Sequence, residues 1–136
     1  MAAAVDHPVR DLSVARCRDL LLGSSHGFLA CTRFALPLIV PVEIDCFEGE
    51  VLVLVHDRRL CGPLDGHVVA LTVGVHARPP AHGWTVVACG RFGATTGDGS
   101  TGHPLDVRTL QGWTFEGAGG PRAALPDPVL VLAQDR

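Results

Sequence analysis

The sequence predicts a small, mainly β protein, in which an antiparallel barrel follows a single N-terminal helix. Three observations support this prediction. Only one segment, near the N-terminus, has helical periodicity, and six short segments with strand character follow it. Tight turns join several of these segments, which favours an antiparallel barrel over a parallel sheet. The 136 residues, 47% hydrophobic and 18% charged, suit one packed domain that covers residues 1–136.

The helix is expected at residues 11–23. Asp11 or Ser13 can act as the N-cap by accepting hydrogen bonds from the first free backbone N–H groups. Gly23 is expected to end the helix, because glycine readily takes the left-handed conformation of a C-terminal stop. An apolar stripe at helical spacing lies between them, formed by Val14, Cys17 and Leu21.

Six strands are expected, at residues 27–34, 38–47, 51–55, 67–75, 83–96 and 128–133. Ala35-Leu36-Pro37 turns the first strand into the second, and Glu48-Gly49 turns the second into the third as a hairpin. The even positions of the second strand are all apolar and predict a core face, whereas Glu43 and Asp45 lie on the other face. Pro41 has no N–H, which a strand tolerates at an edge, at a bulge or beside a gap that faces a ligand.

Two segments lack a strand pattern. Residues 1–10 are expected to form a flexible N-terminus. Residues 97–128 are rich in glycine and proline and are expected to form a long excursion, with a short helix near residues 105–110. Trp113 is an isolated aromatic residue in this excursion, which is either an ordered lid or a loose loop.

Charge and composition exclude several classes of partner. The net charge is −3 and all eleven basic residues are Arg, so no polybasic surface for nucleic acid or an anionic membrane is expected. No apolar run approaches the roughly 20 residues that cross a bilayer. The first eight residues have neither the basic flank nor the apolar stretch of a signal peptide. Five cysteines without a C-x-x-C pair suit a reduced interior, so we expect a cytoplasmic protein.

No motif in the sequence identifies a reaction. There is no Walker loop, dinucleotide fingerprint or zincin helix. His76, His82 and Cys89 do not have the spacing of a structural zinc site, so no metal site is predicted. The run Ser24-Ser25-His26 fits a hydrogen-bonded connection better than a serine nucleophile, because no acidic partner is indicated.

Two groups of charged residues remain as candidates for a site. Glu43 and Asp45 share a strand face. Paired carboxylates either take part in acid–base chemistry or mark the solvated face of a strand, and the solvated face is the interpretation favoured for Asp45. Arg58 and Arg59 follow the apolar third strand. Their guanidinium groups can either grip phosphate oxygens or form a charged turn in solvent.

Four further segments occur in a distinctive order. They are Ser13…Cys17…Leu20-Leu21, Gly27-Phe28-Leu29-Ala30, Pro37…Val40-Pro41-Val42 and Gly83-Trp84-Thr85-Val86…Gly90. Together they resemble the pyridoxamine-phosphate oxidase-like, flavin-binding split-barrel family, in particular its short actinobacterial members, over residues 12–94. The resemblance implies a six-stranded split barrel that forms a homodimer, with FMN or deazaflavin sites in grooves between the subunits.

The resemblance also implies which residues would hold the cofactor. The implied positions are Val40, Pro41, Val42 and Glu43 for the ring, and Val55 and Arg59, at and just after the end of the third strand, for the phosphate. The residues themselves add Arg58 as a second cation and His56 as a substitute phosphate donor, and the predicted cofactor-binding positions also include Trp84 and Trp113.

This chain departs from the family pattern at three places. Val55 has no hydroxyl group, the loop that follows it is one residue shorter, and Gly74 stands where the family often has an acidic residue. Each lost phosphate contact costs about 1–3 kcal/mol, or roughly ten- to hundredfold in affinity.

Two functions are therefore carried forward. The first is an FMN- or deazaflavin-dependent oxidoreductase that acts on a small molecule, with Trp84 or Trp113 of the second subunit closing over the substrate. The alternative is a flavin-free split barrel, either a biosynthetic enzyme or a haem or ligand binder, that uses the same groove. Its catalytic candidates are Glu43 and His56, with Arg59 as a further polar group. A purely structural homodimer is a third possibility.

Overall fold

The computed structural model describes residues 9–57, 59, 63–77, 82–95 and 102–116. In chain order the elements are β1 (Val9–Asp11), α1 (Val14–Leu22), β2 (His26–Arg33), β3 (Leu36–Phe47), β4 (Glu50–Val55), β5 (Val68–Ala77), β6 (His82–Phe92) and β7 (Gly102–Glu116).

Six of the strands close into an antiparallel barrel. The sheet order is β1-β7-β4-β3-β2-β5-β6, and an additional pairing of β6 with β7 closes the circle. The short β1 lies outside the circle and pairs with the end of β7, where Asp11 is opposite Trp113. The predicted mainly β barrel with an N-terminal helix is confirmed.

Alternating apolar side chains from the strands fill the barrel. In β3, Val42 and Ile44 are buried as predicted, while Asp45 on the other face is exposed. Phe92, near the end of β6, is fully buried. Complete burial of an aliphatic or aromatic side chain contributes about 1.5–3 kcal/mol, so this interior is the main source of stability.

Helix α1 lies against β7 and covers one side of the barrel. Its N-cap is Ser13, whose Oγ accepts a hydrogen bond from the Arg16 backbone N–H at 3.1 Å, whereas Asp11 belongs to β1. Close approach requires glycine in β7, because a Cβ atom at Gly112 would lie 2.6 Å from Cys17 Sγ. The left-handed stop predicted at Gly23 is wrong: its φ is −89°, and its N–H bonds to the Asp19 carbonyl within the last turn.

Strand β7 corrects the prediction of an excursion with a short helix at residues 105–110. Leu105 and Val107 are two residues apart, and Val107 and Leu110 are three apart. This mixed spacing of apolar residues resembles that of a helix. The structure explains this spacing by a β-bulge, where the register with β6 shifts and Arg108 is the extra residue. A bulge resets the inward-facing positions by one residue. Residues 97–101 and 117–128 of the expected excursion lie outside the described residues.

Three other predicted boundaries change. The first turn consists of Phe34 and Ala35, one residue earlier than predicted. Residues 9 and 10, expected in a flexible N-terminus, belong to β1, and residues 1–8 are not described. The strand predicted at residues 128–133 also lies outside the described residues, and β7 supplies the sixth strand of the barrel.

Candidate functional site: the open edge of β3

The barrel wall has an open edge in the first half of β3. Strand β4 pairs with β3 only from Val42 to Phe47, so residues 36–41 pair with β2 alone within the described chain. Pro41 is the first residue of β3 beyond the end of β4. Its missing N–H is tolerated there because no ladder bond is needed on the open side.

Three of the predicted cofactor residues belong to the barrel interior. Val42 and Val55 face each other across β3 and β4, and only 2% and 8% of their surfaces are exposed. Val40 is partly buried against the same core. For a ligand on the outer face, these three residues can therefore offer only main-chain groups. The outward side chains of this run are Pro41 and Glu43.

Glu43 and His56, the two catalytic candidates, lie together on the outer face. Glu43 is opposite Leu54, so His56, two residues further along the chain, reaches the same carboxylate. His56 Nε2 lies 2.9 Å from Glu43 Oε2, and both side chains are largely exposed. A carboxylate at this distance can orient the imidazole by accepting a hydrogen bond from Nε2.

A second histidine lies on the opposite side of Glu43. His26 in β2 is the register partner of Glu43 in β3. The ring nitrogen Nδ1 of His26 is 2.9 Å from Ser25 Oγ. This contact orients the His26 imidazole at the start of β2.

The guanidinium of Arg59 is already bound to a carboxylate, so it is not free to bind a phosphate. Its Nε and Nη2 donate to the two carboxylate oxygens of Asp57, both at 2.9 Å, and its backbone N–H donates to the same carboxylate. These hydrogen bonds lower the pKa of Asp57 and raise that of Arg59. The Arg59 side chain is 86% exposed, so an anion would have to displace Asp57 at a solvated site. Arg58 lies outside the described residues.

Arg33 is the cation near this edge that the sequence reasoning missed. Its Nη1 donates to the Arg59 carbonyl oxygen at 3.0 Å, and its guanidinium carbon lies 5.1 Å from the centre of the Phe34 ring. Among the described residues no carboxylate lies within ion-pair distance of it. Only the fold brings Arg33, which ends β2, to the segment after β4, so no sequence spacing could have revealed it.

The two tryptophans lie across the barrel from the open edge. Trp84 is in β6 and packs partly against the core, while its neighbour Thr85 is opposite Trp113 of β7. Strands β6 and β7 do not pair with β3. In a single subunit neither indole can close over the open edge, so the predicted lid role requires a second copy. Trp113 belongs to a regular strand and not to an excursion.

Two other predicted positions have structural explanations. A Cβ atom at Gly74 would lie 2.6 Å from the Trp84 carbonyl oxygen, so no acidic side chain fits at this point of β5. His76 lies beside Thr85 and its ring centre is 5.3 Å from that of Phe115. No group of three or more metal-binding side chains occurs in the described ranges.

A histidine that the sequence did not single out is buried in the barrel. His103 in β7 is only 4% exposed and stacks on Phe92 with ring centres 4.5 Å apart. Its Nδ1 donates to the Gly93 carbonyl oxygen at 2.9 Å. This bond ties the start of β7 to the end of β6, which is a structural role.

A cavity of about 580 Å³ lies at the α1 end of the barrel, away from the open edge. Leu21 and Phe92 contribute to its apolar floor, and Arg18, Glu50, Arg91 and Asp106 lie around it. The predicted site residues do not line this cavity. It is therefore a separate feature of the molecule.

Solved structures share this architecture. A FAD-binding protein from Mycobacterium smegmatis superposes with a TM-score of 0.67 at 20% identity, over 79% of this chain and 98% of that one. The fold is that of the flavin-binding split barrels. A FAD-binding protein from Mesorhizobium loti matches with a TM-score of 0.62 at 16% identity, over 79% and 98% of the two chains.

A third split barrel, from Corynebacterium glutamicum and provisionally named a pyridoxamine 5′-phosphate oxidase, has a TM-score of 0.61 at 14% identity. It covers 85% of this chain and 99% of its own. No family model and no curated protein matches the sequence. At these identities the likeness establishes the fold. In the described part of this split barrel, no helix is long and apolar enough to cross a membrane.

Proposed function

We propose that this split barrel binds a flavin along the open edge of β3 and works as a flavin-dependent oxidoreductase on a small molecule. The observation that carries the proposal is the open edge. Strand β4 ends at Val55, and no second described strand pairs with residues 36–41. Solved split barrels named as FAD-binding support a flavin in general. FMN and a deazaflavin are the forms expected from the sequence.

The open edge fits the ring of a flavin. Ile39 and Pro41 form an apolar wall on the outer face, and Ile39 is 65% exposed in the single chain. Covering such a side chain with a flat apolar ring removes apolar surface from water at about 25 cal/mol per Å². Backbone groups of residues 36–41 that do not bond to β2 can pair with the polar edge of the ring.

The phosphate residues assigned from the sequence fit less well. Val55 faces the interior, and Asp57 holds Arg59. A phosphate at Arg59 has to compete with the Asp57 carboxylate, which already accepts hydrogen bonds from Nε and Nη2 of the guanidinium. We therefore assign the ring to the open edge of β3 and do not assign the phosphate to Val55.

In this proposal Glu43 and His56 form the polar end of the site. A bound flavin supplies electron or hydride transfer, and the chain supplies orientation and protons. With its proton on Nε2, His56 donates to Glu43, so the pair can hold one proton beside a substrate on the outer face. Glu43→Gln removes the carboxylate and is expected to lower kcat more than flavin affinity.

We propose further that two copies share the site. Exposed apolar side chains beside the open edge include Leu36 and Ile39 of β3, which are 68% and 65% exposed. A stable homodimer hides about 800 Å² on each partner. It would also bring Trp84 or Trp113 of a second copy towards the edge that they cannot reach in one subunit. Light scattering of the purified protein tests this, and a monomer at micromolar concentration contradicts it.

One observation favours a second candidate function, a flavin-free split barrel that binds or converts another small molecule. The Asp57 carboxylate already binds the guanidinium of Arg59, on which the sequence-based phosphate site depends. A ligand without phosphate would use the apolar wall and the Glu43–His56 pair and would not need Arg59. Haem and biosynthetic substrates remain in this class.

Absorbance and titration separate the two functions. The purified protein is scanned for flavin and haem bands and titrated with FMN, FAD and a deazaflavin. Ile39→Asp places a carboxylate in the apolar wall and is expected to weaken flavin binding by about tenfold or more. Val68→Asp is the matched control, because Val68 is 67% exposed and lies in β5.

The proposal fails if the protein takes up none of the three flavins. It also fails if Ile39→Asp and Val68→Asp weaken flavin binding equally. A haem band in a flavin-free preparation would support the second candidate.

A further inference from the structure

The tip of the β2–β3 hairpin has an unusual combination of strain and exposure. This tip, hereafter the Phe34 tip, consists of Arg33, Phe34, Ala35 and Leu36. Its two turn residues have φ of 53° and 61° and are not glycine. Phe34 is 85% exposed and Leu36 is 68% exposed. Left-handed backbone at residues other than glycine is unfavourable, and such strain is common at ligand sites.

The Phe34 ring is held in place from one side. The Arg33 guanidinium lies over the ring at 5.1 Å and is itself anchored by the bond from Nη1 to the Arg59 carbonyl oxygen. This cation–π contact and the hydrogen bond fix the plane of the ring. The other face of the ring points to solvent, which leaves a flat apolar surface of defined orientation.

Arg33 also differs from Arg59 in its remaining donors. Nε and Nη2 of Arg59 are bonded to the Asp57 carboxylate, whereas Arg33 has one bond to a backbone carbonyl and, in the described ranges, no salt bridge. The charge of Arg33 contributes to the lowered pKa of Asp57, but no hydrogen bond joins the two side chains. Its other N–H groups are available to an anion. Guanidinium groups recognise phosphate oxygens through two parallel N–H bonds.

A flat aromatic surface beside an available guanidinium matches a nucleotide, which joins a planar base to phosphate. Bases stack on aromatic side chains regardless of their identity, because every base has a π-face. The phosphate beside the base meets the cation. A ligand with only an apolar ring would not need Arg33, and inorganic phosphate alone would not need Phe34.

The Phe34 tip lies at one end of the open edge. Leu36 and Pro41 are five residues apart in β3, or about 17 Å at the rise of an extended strand. A mononucleotide flavin ends at its phosphate, whereas a dinucleotide flavin continues to a second base. A ligand with its redox ring near Pro41 can therefore reach the Phe34 tip only if it carries this second half.

We propose that the Phe34 tip binds the nucleotide half of a dinucleotide flavin, with the base stacked on Phe34 and a phosphate on Arg33. The inference rests on the proposed flavin site at the open edge. Solved split barrels named as FAD-binding support a dinucleotide flavin in general. The inference adds the two residues of this chain that bind its nucleotide half. It also moves the phosphate contact from Arg59 to Arg33.

The test compares FAD, FMN and ADP on the same variants by titration calorimetry. Phe34→Asn removes the ring and suits the left-handed turn, so the variant is expected to keep its fold and to melt at no lower temperature. It should weaken FAD and ADP binding by about tenfold and leave FMN within twofold. Arg33→Gln should weaken FAD and ADP and reduce the salt dependence of ADP binding. Phe47→Asn at the other end of β3 is the control and should change none of the three.

Each outcome decides between the inference and the function on which it rests. If FMN and FAD bind equally and Phe34→Asn affects neither, the flavin site stands and the inference is overturned. If ADP binds through Phe34 but no flavin binds, the nucleotide surface stands and the proposed function fails. If neither FAD nor ADP binds, both fail. If Phe34→Asn changes only the oligomeric state, the tip is a contact between copies and the inference is overturned.

Discussion

The two hairpin turns that flank β3 have the same backbone conformation, but only one of them contains glycine. At the Phe34 tip, the turn residues Phe34 and Ala35 both have positive φ. At the other tip, hereafter the Gly49 tip (Phe47, Glu48, Gly49 and Glu50), Glu48 has φ of 51° and Gly49 has φ of 79°. Both are two-residue loops with the positive φ pattern of a type I′ turn.

The difference lies in what holds each turn in this shape. Gly49 adopts its conformation at little cost, so the Gly49 tip can form from local preference alone. The Phe34 tip has no such residue, and its shape depends on the pairing of β2 with β3 and on the link from Arg33 to Arg59. A turn that keeps unfavourable residues with an exposed aromatic ring is more informative about ligand binding than a turn that follows local preference.

The largest expected effect is at the Gly49 tip. Gly49→Val places a β-branched residue at φ of 79°, where it has no steric contact but does have backbone strain. We expect a loss of about 2 kcal/mol in the free energy of unfolding, measured by denaturant titration. Gly49→Asn, which tolerates this conformation, should cost much less. Equal losses for the two variants would contradict the strain argument.

A stabilising change is expected at the Phe34 tip. Replacing Phe34-Ala35 by Asn-Gly supplies the residues that this turn prefers and should raise stability by about 1 kcal/mol, because relief of strain exceeds the entropy cost of glycine. The melting temperature should rise by a few degrees. Glu48→Asn is the comparison and should raise stability less, since only one residue of that turn is a non-glycine residue at positive φ. No gain at the Phe34 tip would mean that its strain is smaller than the φ values imply.

The smallest effect on stability is expected in the segment after β4, which contains Asp57 and Arg59 and is hydrogen-bonded to the Phe34 tip. Asp57→Asn should release Arg59 from its exposed ion pair and tighten the binding of inorganic phosphate, with little change in melting temperature. Phosphate titration of Asp57→Asn against Asp45→Asn, an exposed acidic residue of β3, measures this. Equal binding by the two variants would show that Asp57 does not block the cation.

The pH dependence of the same pair follows from the pKa of Asp57, which Arg59 holds below its ordinary value of 3.8. A lowered carboxyl pKa means that the pair stabilises the fold above the unfolded pKa and is lost as the pH falls through the folded pKa. Between pH 5 and 8 the carboxylate stays charged. Phosphate binding in that range should therefore not gain from acidification through Asp57.

Much of the site region could be predicted from the sequence, because it depends on patterns within single strands. The alternation around Val42 and Ile44 predicted which face of β3 is buried, and Glu48-Gly49 predicted the second hairpin. The same alternation predicted that Val40 and Val42 face inward, although the resemblance to a flavin-binding family implied them, together with Val55, as ligand positions. Pro41 indicated an edge or a gap, and the end of β4 at Val55 supplies the edge.

Other features of the site depend on strands far apart in the sequence. Arg33 and Arg59 are 26 positions apart and meet only because β2, β3 and β4 are neighbours in one wall. The pairing of Arg59 with Asp57, in contrast, joins residues only two positions apart.

By itself the sequence determined the helix cap at Ser13, the strands with regular alternation and the hairpin at Gly49, because period, capping and turn chemistry act over a few neighbouring residues. Only the tertiary structure decided that β7 is a strand, that Gly74 and Gly112 must lack side chains, and that Arg33 is the available cation. These depend on a bulge, on close backbone approach and on barrel closure. Each is set by which distant segments become neighbours, and no local pattern carries that information.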